Sequence, residues 1–423
     1  MLLSKFGVDK KYLAHTPNEL LIDHSNLTLA YYNKIIKIKN LDLLIDNLIH
    51  QIDSKNFEFI KEMFINAIYL HDLGKKNPCF QAKKMNNPLF TNTDCGDSSH
   101  SHSGAIEFIE YYKAKIENIQ DDKEFYRLIY ILYSFAYHIN QHHGSLNTIE
   151  QYLAQNEERK KHPYFANVKK DIDTYLDKKF EFYILNKLLF SLLVSSDYYA
   201  TTEYMAKLQT NDFGIFTKEQ KQNFMKIFQE HIAKFQNPQG INKLHVEMFQ
   251  EAEKNLLASK DKNIFYLEAP TGSGKTLTSI NLALQLLNLH KNLNKLFYVF
   301  PFNTLVEQTK SVFEDIFGLD SIEVINSITP IKAVKDQEDE ESKYEKSYIN
   351  RLFFHSPAVI TTHVALFDIL FGTSKEDNFP LWQLANSVII LDEIQTYNNQ
   401  LWWHMSEFFD KYAQLLNIKI IIM

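Results

Sequence analysis

The chain has 423 residues, enough for two or three domains that each bury a core of their own. Hydrophobic residues make up 45% of it, and glycine and proline number only 11 and 10, so the composition excludes a disordered chain and favours helices. The net charge of −7 argues only weakly against a nucleic-acid partner, because a binding groove needs positive potential only locally.

The sequence contains no segment typical of a membrane or secreted protein. No stretch of about 18 uncharged apolar residues exists, and the N-terminal residues lack the apolar core of a signal peptide. The two cysteines, Cys79 and Cys95, are too few for a disulfide framework. We therefore expect a cytoplasmic protein that has no membrane partner.

Helical periodicity dominates residues 1–205, which we predict to form an all-α domain. Apolar residues spaced three and four apart predict helices at 57–73, 105–119, 123–139 and 180–199. Gly74 and Gly144 fall just past two of these helices, where a left-handed cap would suit a glycine. Residues 206–243 are mixed and polar and end in a turn-rich stretch, so we predict a linker there.

Residues 244–423 change to short apolar runs that helical segments separate. The runs lie at 264–267, 297–300, 358–361, 387–391 and 418–423. This alternation is typical of a parallel sheet covered by helices, because strands buried on both faces read as continuous apolar runs. We therefore predict an α/β domain in this part of the chain.

A phosphate-binding loop follows the first of these runs. Residues 269–276 read Ala-Pro-Thr-Gly-Ser-Gly-Lys-Thr and open a helical segment, so backbone N–H groups can surround phosphate oxygens. Lys275 would reach the β- and γ-phosphates. The run 387–391 ends in Asp392, which would hold Mg²⁺, and Glu393, which would orient the attacking water. We predict ATP with Mg²⁺ as the ligand, held by Thr271, Gly272, Ser273, Gly274, Lys275, Thr276 and Asp392.

Two further segments place small hydroxyl side chains after predicted strands. Residues 301–304 follow the run 297–300, and Thr361 and Thr362 close the run 358–361. These hydroxyls would either contact a nucleic-acid backbone or cap the following helices, and the residues alone leave both readings open. In this order, the segments of residues 244–423 resemble the first RecA-like domain of superfamily-two helicases.

Histidines cluster in the first part of the chain, where nine of the 16 fall within residues 1–143. Several of them stand near the ends of predicted helices. The candidate ligands, in chain order, are His24 in an early helix, His71-Asp72 at the end of the helix 57–73, His100 and His102 in a polar loop, His142-His143 at the end of another helix, and Asp197 late in a third.

Imidazoles with a shared carboxylate suit divalent transition metals such as Mn²⁺, Fe²⁺, Co²⁺ or Ni²⁺. Two such metals about 3.5–4 Å apart can clamp the attacking and leaving oxygens of a phosphodiester. A carboxylate has to bridge two cations that lie so close together, and Asp72 is the natural candidate. Lys75 would neutralise the scissile phosphate. We therefore predict a centre of two divalent metals.

The order His, His-Asp, His, His-His, Asp resembles that of the HD phosphohydrolase superfamily. With the helicase-like half, the chain resembles the CRISPR-associated nuclease–helicases of type I interference systems. The resemblance implies an all-α HD-type metallo-phosphohydrolase domain followed by an α/β RecA-like domain with a phosphate loop and a parallel sheet. Its spacing favours His100 over His102 without excluding the latter. It implies one metal among His24, His71, Asp72 and Asp197, and a second, bridged by Asp72, among His100, His142 and His143.

The resemblance implies a nuclease acting on single-stranded DNA, coupled to an ATP-dependent helicase domain and directed by an RNA-guided CRISPR surveillance complex in antiviral defence. Asp72, Lys75 and Glu393 would be its catalytic residues. Two alternatives stay open: an HD nucleotide phosphohydrolase, and a truncated adaptor that binds ATP or DNA. The chain ends before the second RecA-like domain of the family. We therefore expect a fragment, a frameshifted gene or a split enzyme completed by a second chain, without motor activity of its own.

Overall fold

The computed structural model describes residues 2–90, 96, 98–146, 175–234, 241–270, 272–301, 306–318, 321–325, 340–394 and 399–423. The chain divides into two compact units. The first contains Met1–Lys37, Ile45–Thr210 and Gly372–Phe379, and the second contains Ile38–Leu44, Asn211–Phe371 and Pro380–Met423. Among the described residues, no helix is both long and apolar enough to cross a membrane.

In its described residues the first unit is helical, apart from a small antiparallel hairpin near its start. Its elements before residue 210 are helix α1 (Leu2–Lys5), strands β1 (Leu13–His15) and β2 (Glu19–Leu20), helices α2 (Leu21–Lys39), α3 (Asp42–Asp53), α4 (Phe57–Tyr69), α5 (Pro78–Lys83), α6 (His100–Ile116), α7 (Asp122–Gln141) and α8 (Lys179–Met205), and 3₁₀ turns at Leu73–Lys76 and Pro88–Phe90. The C-terminal end of α2 and the start of α3 belong to the second unit.

The core of the first unit forms where α7 packs against α4, α6 and α8. Helix α8 is buried on nearly all of its faces, and Leu185, Leu189 and Leu193 are fully buried. A helix that is apolar all round can be stable only inside a core, which explains why α8 lies among the other helices. The predicted all-α fold of this part of the chain is confirmed, and the hairpin is an addition to it.

Two helix boundaries predicted from the sequence are wrong. Helix α4 ends at Tyr69, so His71 and Asp72 lie in the turn that leads into the 3₁₀ turn Leu73–Lys76. His100, expected in a loop, is the first residue of α6. Both errors arise at ends of helices, where the apolar spacing is the same on either side of the boundary.

The expectation of left-handed caps at Gly74 and Gly144 is also wrong, because neither has a positive φ. Gly74 is needed for a close approach of two backbone segments. A Cβ at this position would stand 1.9 Å from the carbonyl oxygen of His100 and 2.6 Å from the backbone nitrogen of Gly104. The absence of a side chain at Gly74 therefore allows α6 to lie directly against the 3₁₀ turn Leu73–Lys76.

Lys187 on α8 is a buried cation of the first unit. Its Nζ donates to the carbonyl oxygen of Gly372 at 2.9 Å and to Oδ1 of Asn378 at 2.5 Å, and burial lowers the pKa of Lys187 to about 8. The unfolded chain keeps this proton up to the ordinary pKa of 10.5, so stability should rise with pH between about 8 and 10.5. Below about pH 8 the folded protein bears the full free-energy cost of a buried, charged Lys187, and this cost no longer changes with pH.

Relative to Lys187→Met, the wild type should therefore gain roughly 3 kcal/mol of unfolding free energy across this pH window. Denaturant unfolding of both proteins at a series of pH values measures the difference. Equal dependence on pH in the two proteins would contradict a depressed pKa at Lys187.

The second unit is an α/β domain around one sheet. The elements that follow residue 210 are helices α9 (Lys218–Ala233) and α10 (Ile241–Ala258), strand β3 (Ile264–Tyr266), helix α11 (Lys275–Leu289), strand β4 (Leu296–Phe300), helix α12 (Val306–Phe317), strand β5 (Glu323–Val324), helix α13 (Glu340–Leu352), strand β6 (Ala358–Thr362), helices α14 (His363–Phe371), α15 (Lys375–Asn378) and α16 (Leu381–Leu384), strand β7 (Val388–Leu391), helix α17 (Asn399–Leu415) and strand β8 (Lys419–Ile422). Of these, α15 belongs to the first unit.

The sheet has six strands in the order β3-β8-β7-β4-β6-β5, and all of its pairs are parallel. The predicted parallel sheet with covering helices is therefore confirmed. Helix α9 lies within residues 206–243, where the sequence indicates a linker, and its Phe228 is buried in the core of the second unit. The domain boundaries drawn from the sequence, 1–205, 206–243 and 244–423, stay a prediction.

Candidate metal centre and nucleotide site

Asp72 stands at the centre of a group of histidines and carboxylates in the first unit. Its exposed fraction is 1%, and each of its carboxylate oxygens faces a different pair of imidazoles. Oδ2 lies 3.3 Å from His24 Nε2 and 3.5 Å from His71 Nε2. Oδ1 lies 3.4 Å from His100 Nε2 and 3.5 Å from His142 Nε2. One carboxylate thus faces two separate groups of donor atoms.

These donor atoms form two sets that share Asp72. In the first, Asp197 Oδ1 lies 3.1 Å from His24 Nε2 and 3.4 Å from His71 Nε2. In the second, Nε2 of His100 and Nε2 of His143 lie 2.9 Å apart. The donor atoms of each set all lie within 4.8 Å of one another, the first set being His24, His71, Asp72 and Asp197 and the second Asp72, His100, His142 and His143.

The structure brings together all seven residues that the sequence analysis names as metal ligands. They come from α2, the turn after α4, the first turn of α6, the end of α7, and α8. The close approach at Gly74 places His100 beside Asp72. Among the described residues, His100 belongs to a donor set and His102 on the same helix does not. The geometry therefore favours His100, and the ligand roles themselves stay a prediction.

Several of these donor atoms are buried without a hydrogen bond, as a cation site requires. His71 Nδ1 donates to the carbonyl oxygen of Ile68 at 2.9 Å, and His142 Nδ1 donates to that of Ile139 at 2.6 Å. A carbonyl only accepts, so each ring carries its proton on Nδ1 and turns the Nε2 lone pair toward the centre. Within the described residues, Nε2 of both rings and Oδ1 of Asp72 have no hydrogen-bond partner. Metal ions would satisfy these acceptors.

Electrostatics keep both carboxylates of the centre ionised. Burial alone would raise the pKa of Asp72, but the charge of Lys75, together with the neighbouring imidazole of His71, holds this pKa well below its ordinary value. Burial acts in the same direction on Asp197, and His71 and His24 again hold the pKa of that carboxyl well below its ordinary value. A carboxylate has to be ionised to bind a metal, so the two side chains are in the required state at neutral pH.

Lys75 is buried within the centre, with an exposed fraction of 4%. Its Nζ lies 2.7 Å from Asp72 Oδ2 and 3.3 Å from His15 Nε2. The ammonium therefore offsets part of the negative charge of Asp72. The sequence gives no signal for His15, so this contact could not be predicted from it. A contact of Lys75 with a scissile phosphate stays a prediction.

The phosphate loop of the second unit lies between β3 and α11. Gly272 and Gly274 have φ values of +76° and +84°, which a side chain would strain, and a Cβ at either position would meet no atom within 4 Å. These two glycines are therefore needed for their backbone conformation. Lys275 begins α11, which places its backbone N–H at the helix N-terminus. Ser273 and Thr276 lie in the same segment, and Thr271 falls outside the described residues.

Asp392 follows β7 at the carboxyl end of the sheet. Burial and the neighbouring charge of Glu393 raise the pKa of Asp392. The hydroxyl of Tyr298, fully buried on β4, donates to Asp392 Oδ2 at 3.3 Å. Sequence reasoning did not include Tyr298, although a tyrosine in an apolar strand usually indicates a buried partner for its hydroxyl.

The hydroxyls at the end of β6 have partners within the fold. Thr361 Oγ1 donates to the carbonyl oxygen of Ile325 at 2.7 Å and is buried. Thr362 Oγ1 accepts from the backbone N–H of Ala365 at 3.2 Å and so caps the start of α14. For Thr362 the helix-capping alternative is the one that the structure favours. Residues 302–304 lie outside the described residues.

Family models divide the chain into the same two parts. The model of the Cas3 HD domain matches residues 13–191, and that of the DEAD/DEAH box helicase matches residues 247–423. A stretch of 152 residues is 27% identical to the CRISPR-associated nuclease/helicase Cas3 of Haloferax volcanii. It covers 32% of this chain and 16% of that protein.

Solved structures share the fold. The crystal structure of T. fusca Cas3-AMPPNP matches with a TM-score of 0.62 at 13% identity, over 98% of this chain and 50% of that chain. A chain in the structure of a CRISPR RNA-guided surveillance complex, pre-nicking, matches with a TM-score of 0.54 at 14% identity, over 98% of this chain and 47% of that chain. The chain thus spans about half the length of these two. By its two family models, the chain belongs to the family of Cas3 nuclease–helicases, of which it carries an HD domain followed by a DEAD/DEAH box helicase domain.

Proposed function

We propose that this chain is a metal-dependent nuclease for single-stranded DNA, coupled to an ATP-dependent helicase domain. The observation that carries the nuclease proposal is the Asp72 carboxylate, whose two oxygens face two sets of histidines. Two divalent cations held there would clamp the attacking and leaving oxygens of a phosphodiester. Imidazole and carboxylate donors favour Mn²⁺, Fe²⁺, Co²⁺ or Ni²⁺ for this role.

The chain's own residues would hold and orient these cations. Asp72 touches both donor sets, so it fixes their separation, and Asp197 completes the first set. His71 and His142 present Nε2 because their Nδ1 protons are held by backbone carbonyls. Lys75 would add positive charge where the scissile phosphate binds. Residues 1–205 would form the nuclease domain and residues 244–423 the ATP-binding domain.

The relatives suggest the substrate and the partner. The H. volcanii relative is named a CRISPR-associated nuclease/helicase, and one structure of similar fold is that of an RNA-guided surveillance complex. We propose that such a complex directs this chain to invading DNA, and that nuclease action follows on the exposed single strand. Unwinding would require a second RecA-like domain, in the same polypeptide or in another.

Circular single-stranded DNA is the substrate that tests the nuclease proposal. The 423-residue chain should cut it with Mn²⁺, Co²⁺ or Ni²⁺, and EDTA should abolish the cutting. Free nucleotides are the control substrate. Dephosphorylation of nucleotides without cleavage of DNA would favour an HD nucleotide phosphohydrolase, and binding of DNA or ATP without either reaction would favour an adaptor.

Lys275→Ala should weaken the binding of Mg·ATP by about tenfold or more, because it removes a charge-assisted contact worth roughly 1.5–3 kcal/mol. The N–H groups of the phosphate loop would remain, so weak binding should survive. Titration calorimetry of wild type and variant measures the change. Lys291→Ala, which removes an exposed lysine of the same unit, is the matched control. Equal affinity of Lys275→Ala and the wild type would exclude the proposed phosphate contact.

A further inference from the structure

The hairpin of β1 and β2 supplies two side chains to the metal centre that the sequence analysis does not include. His15 is the last residue of β1, and Glu19 is the first residue of β2. Glu19 has an exposed fraction of 5%. Because β2 leads directly into α2, the carboxylate of Glu19 lies next to His24 near the start of that helix.

A closed ring of contacts joins this hairpin to Asp72. Glu19 Oε2 lies 2.5 Å from His15 Nδ1, and Oε1 lies 3.5 Å from His24 Nδ1. His15 Nε2 lies 3.3 Å from Lys75 Nζ, which is 2.7 Å from Asp72 Oδ2. His24 Nε2 closes the ring at 3.3 Å from the same oxygen. The hairpin therefore reaches Asp72 Oδ2 by two routes, one through each of its two side chains.

The protons of this ring have one consistent arrangement. An ammonium only donates, so His15 Nε2 accepts from Lys75 and the proton of the His15 ring is on Nδ1. That Nδ1–H donates to the Glu19 carboxylate. The other oxygen of Glu19 lies 3.5 Å from His24 Nδ1 and would accept from an N–H there. With its proton on Nδ1, His24 would offer the Nε2 lone pair to a cation of the first donor set, where Nε2 lies 3.1 Å from Asp197 Oδ1.

The three buried imidazoles of the centre differ in what holds their Nδ1 protons. His71 and His142 each use a backbone carbonyl three residues earlier in the chain. His24 Nδ1 instead faces the Glu19 carboxylate at 3.5 Å, and it makes no hydrogen bond among the described residues. A carboxylate behind a ligating imidazole fixes the ring and makes its other nitrogen more basic.

We propose that Glu19 is a positioning residue, which orients His24 toward the first cation through Nδ1, while His15 holds Lys75 beside Asp72. This inference rests on the proposed nuclease centre and adds a second layer to one of its two donor sets. Glu19 would act on the reaction through His24 and, by way of His15, through Lys75.

His15, Glu19 and His24 also offer donor atoms within 4.8 Å of one another, which raises the question of a third cation. Both ring nitrogens of His15 already have partners, since Nε2 lies 3.3 Å from Lys75 Nζ and Nδ1 lies 2.5 Å from Glu19 Oε2. His24 directs its other nitrogen to the first donor set. The carboxylate of Glu19 is therefore better placed to orient the ligand His24 than to bind a cation itself.

Titration of the whole 423-residue chain with Mn²⁺, followed by calorimetry, tests the inference without any assay of activity. The wild type should bind two Mn²⁺. Glu19→Ala should weaken the binding of the ion at the first donor set by about 10- to 100-fold. The affinity of the second set should stay unchanged, because His100, His142 and His143 do not touch Glu19. Glu19→Gln keeps an oxygen acceptor without its charge, so its loss should be smaller, about fivefold. If Glu19 had only a structural role, Glu19→Ala would weaken the binding of both Mn²⁺ ions together.

Asp23→Asn is the matched control, since it removes an exposed carboxylate from the same helix. Its two affinities should equal those of the wild type. Wild-type affinity at both sites in Glu19→Ala would overturn the inference, as would equal weakening of both. If Glu19→Ala does not fold, the Mn²⁺ titration of Glu19→Gln is the test. Unchanged Mn²⁺ affinity at both sites in that variant would also overturn the inference. A wild type that binds no Mn²⁺ would instead refute the proposed metal centre itself.

Discussion

Replacing Asp72 by alanine should lower metal-dependent cleavage of single-stranded DNA by roughly a thousandfold or more. The change removes the carboxylate that both donor sets share, and it leaves the buried ammonium of Lys75 without the anion that lies 2.7 Å from it. Several kcal/mol of charge stabilisation would be lost with the cations, and each 1.4 kcal/mol corresponds to about a factor of ten in rate. The initial rate of nicking of circular single-stranded DNA with Mn²⁺ measures the effect.

Two controls separate this effect from unfolding. Asp72→Asn keeps the shape of the side chain and removes only its charge, so it should lose cleavage almost as fully. ATP affinity of the same preparations reports on the second unit and should stay at the wild-type value. Cleavage and metal content at wild-type level in Asp72→Ala would show that the centre does not depend on a shared carboxylate.

Gly74→Ala should have the second largest effect, although it changes no charged or ligating group. The added Cβ would stand 1.9 Å from the carbonyl oxygen of His100 and 2.6 Å from the backbone nitrogen of Gly104. Both are backbone atoms, so the start of α6 has to move. We expect a loss of about 3 kcal/mol or more in unfolding free energy, at the upper end of the range for overpacking. We also expect weaker binding of the cation at the set that contains His100.

Gly144→Ala is the matched control for this variant. Among the described residues its Cβ would meet only Gln141, whose Oε1 lies at 3.4 Å and whose carbonyl oxygen lies at 3.9 Å, and its φ is not positive. Stability and Mn²⁺ affinity of Gly144→Ala should stay near those of the wild type. Denaturant unfolding and Mn²⁺ titration of both variants give the comparison, and wild-type behaviour of Gly74→Ala would contradict the close packing of α6 on the 3₁₀ turn.

The second unit is predictable because four of its strands, β4, β6, β7 and β8, are buried along their whole length. The apolar runs 297–300 and 387–391 correspond to the strands Leu296–Phe300 and Val388–Leu391, every residue of which is buried. Strand Glu323–Val324 was missed because it has two residues, both half-buried, which leave no apolar run. Helix α9 was missed because its sequence is mixed and polar, and Phe228 is the one apolar residue that it buries deeply.

The candidate ligands could be named from the sequence because their order along the chain is informative. His71-Asp72 and His142-His143 stand out as pairs near helix ends, and the remaining ligands follow from the resemblance to a family. His15 and Glu19 gave no such signal, because their meeting depends on the register of a hairpin whose strands have three and two residues. The role of Gly74 was misread for a similar reason, since the segment it approaches lies 26 residues further along the chain, at His100.

The most direct test of the central claim is an electron paramagnetic resonance spectrum of the chain loaded with Mn²⁺. Two Mn²⁺ ions that share the Asp72 carboxylate would lie about 3.5–4 Å apart and would be magnetically coupled. We expect the spectrum of a coupled pair in the wild type and its loss in Asp72→Asn. Isolated, uncoupled Mn²⁺ in the fully loaded wild type would contradict the claim that one carboxylate joins two metal sites.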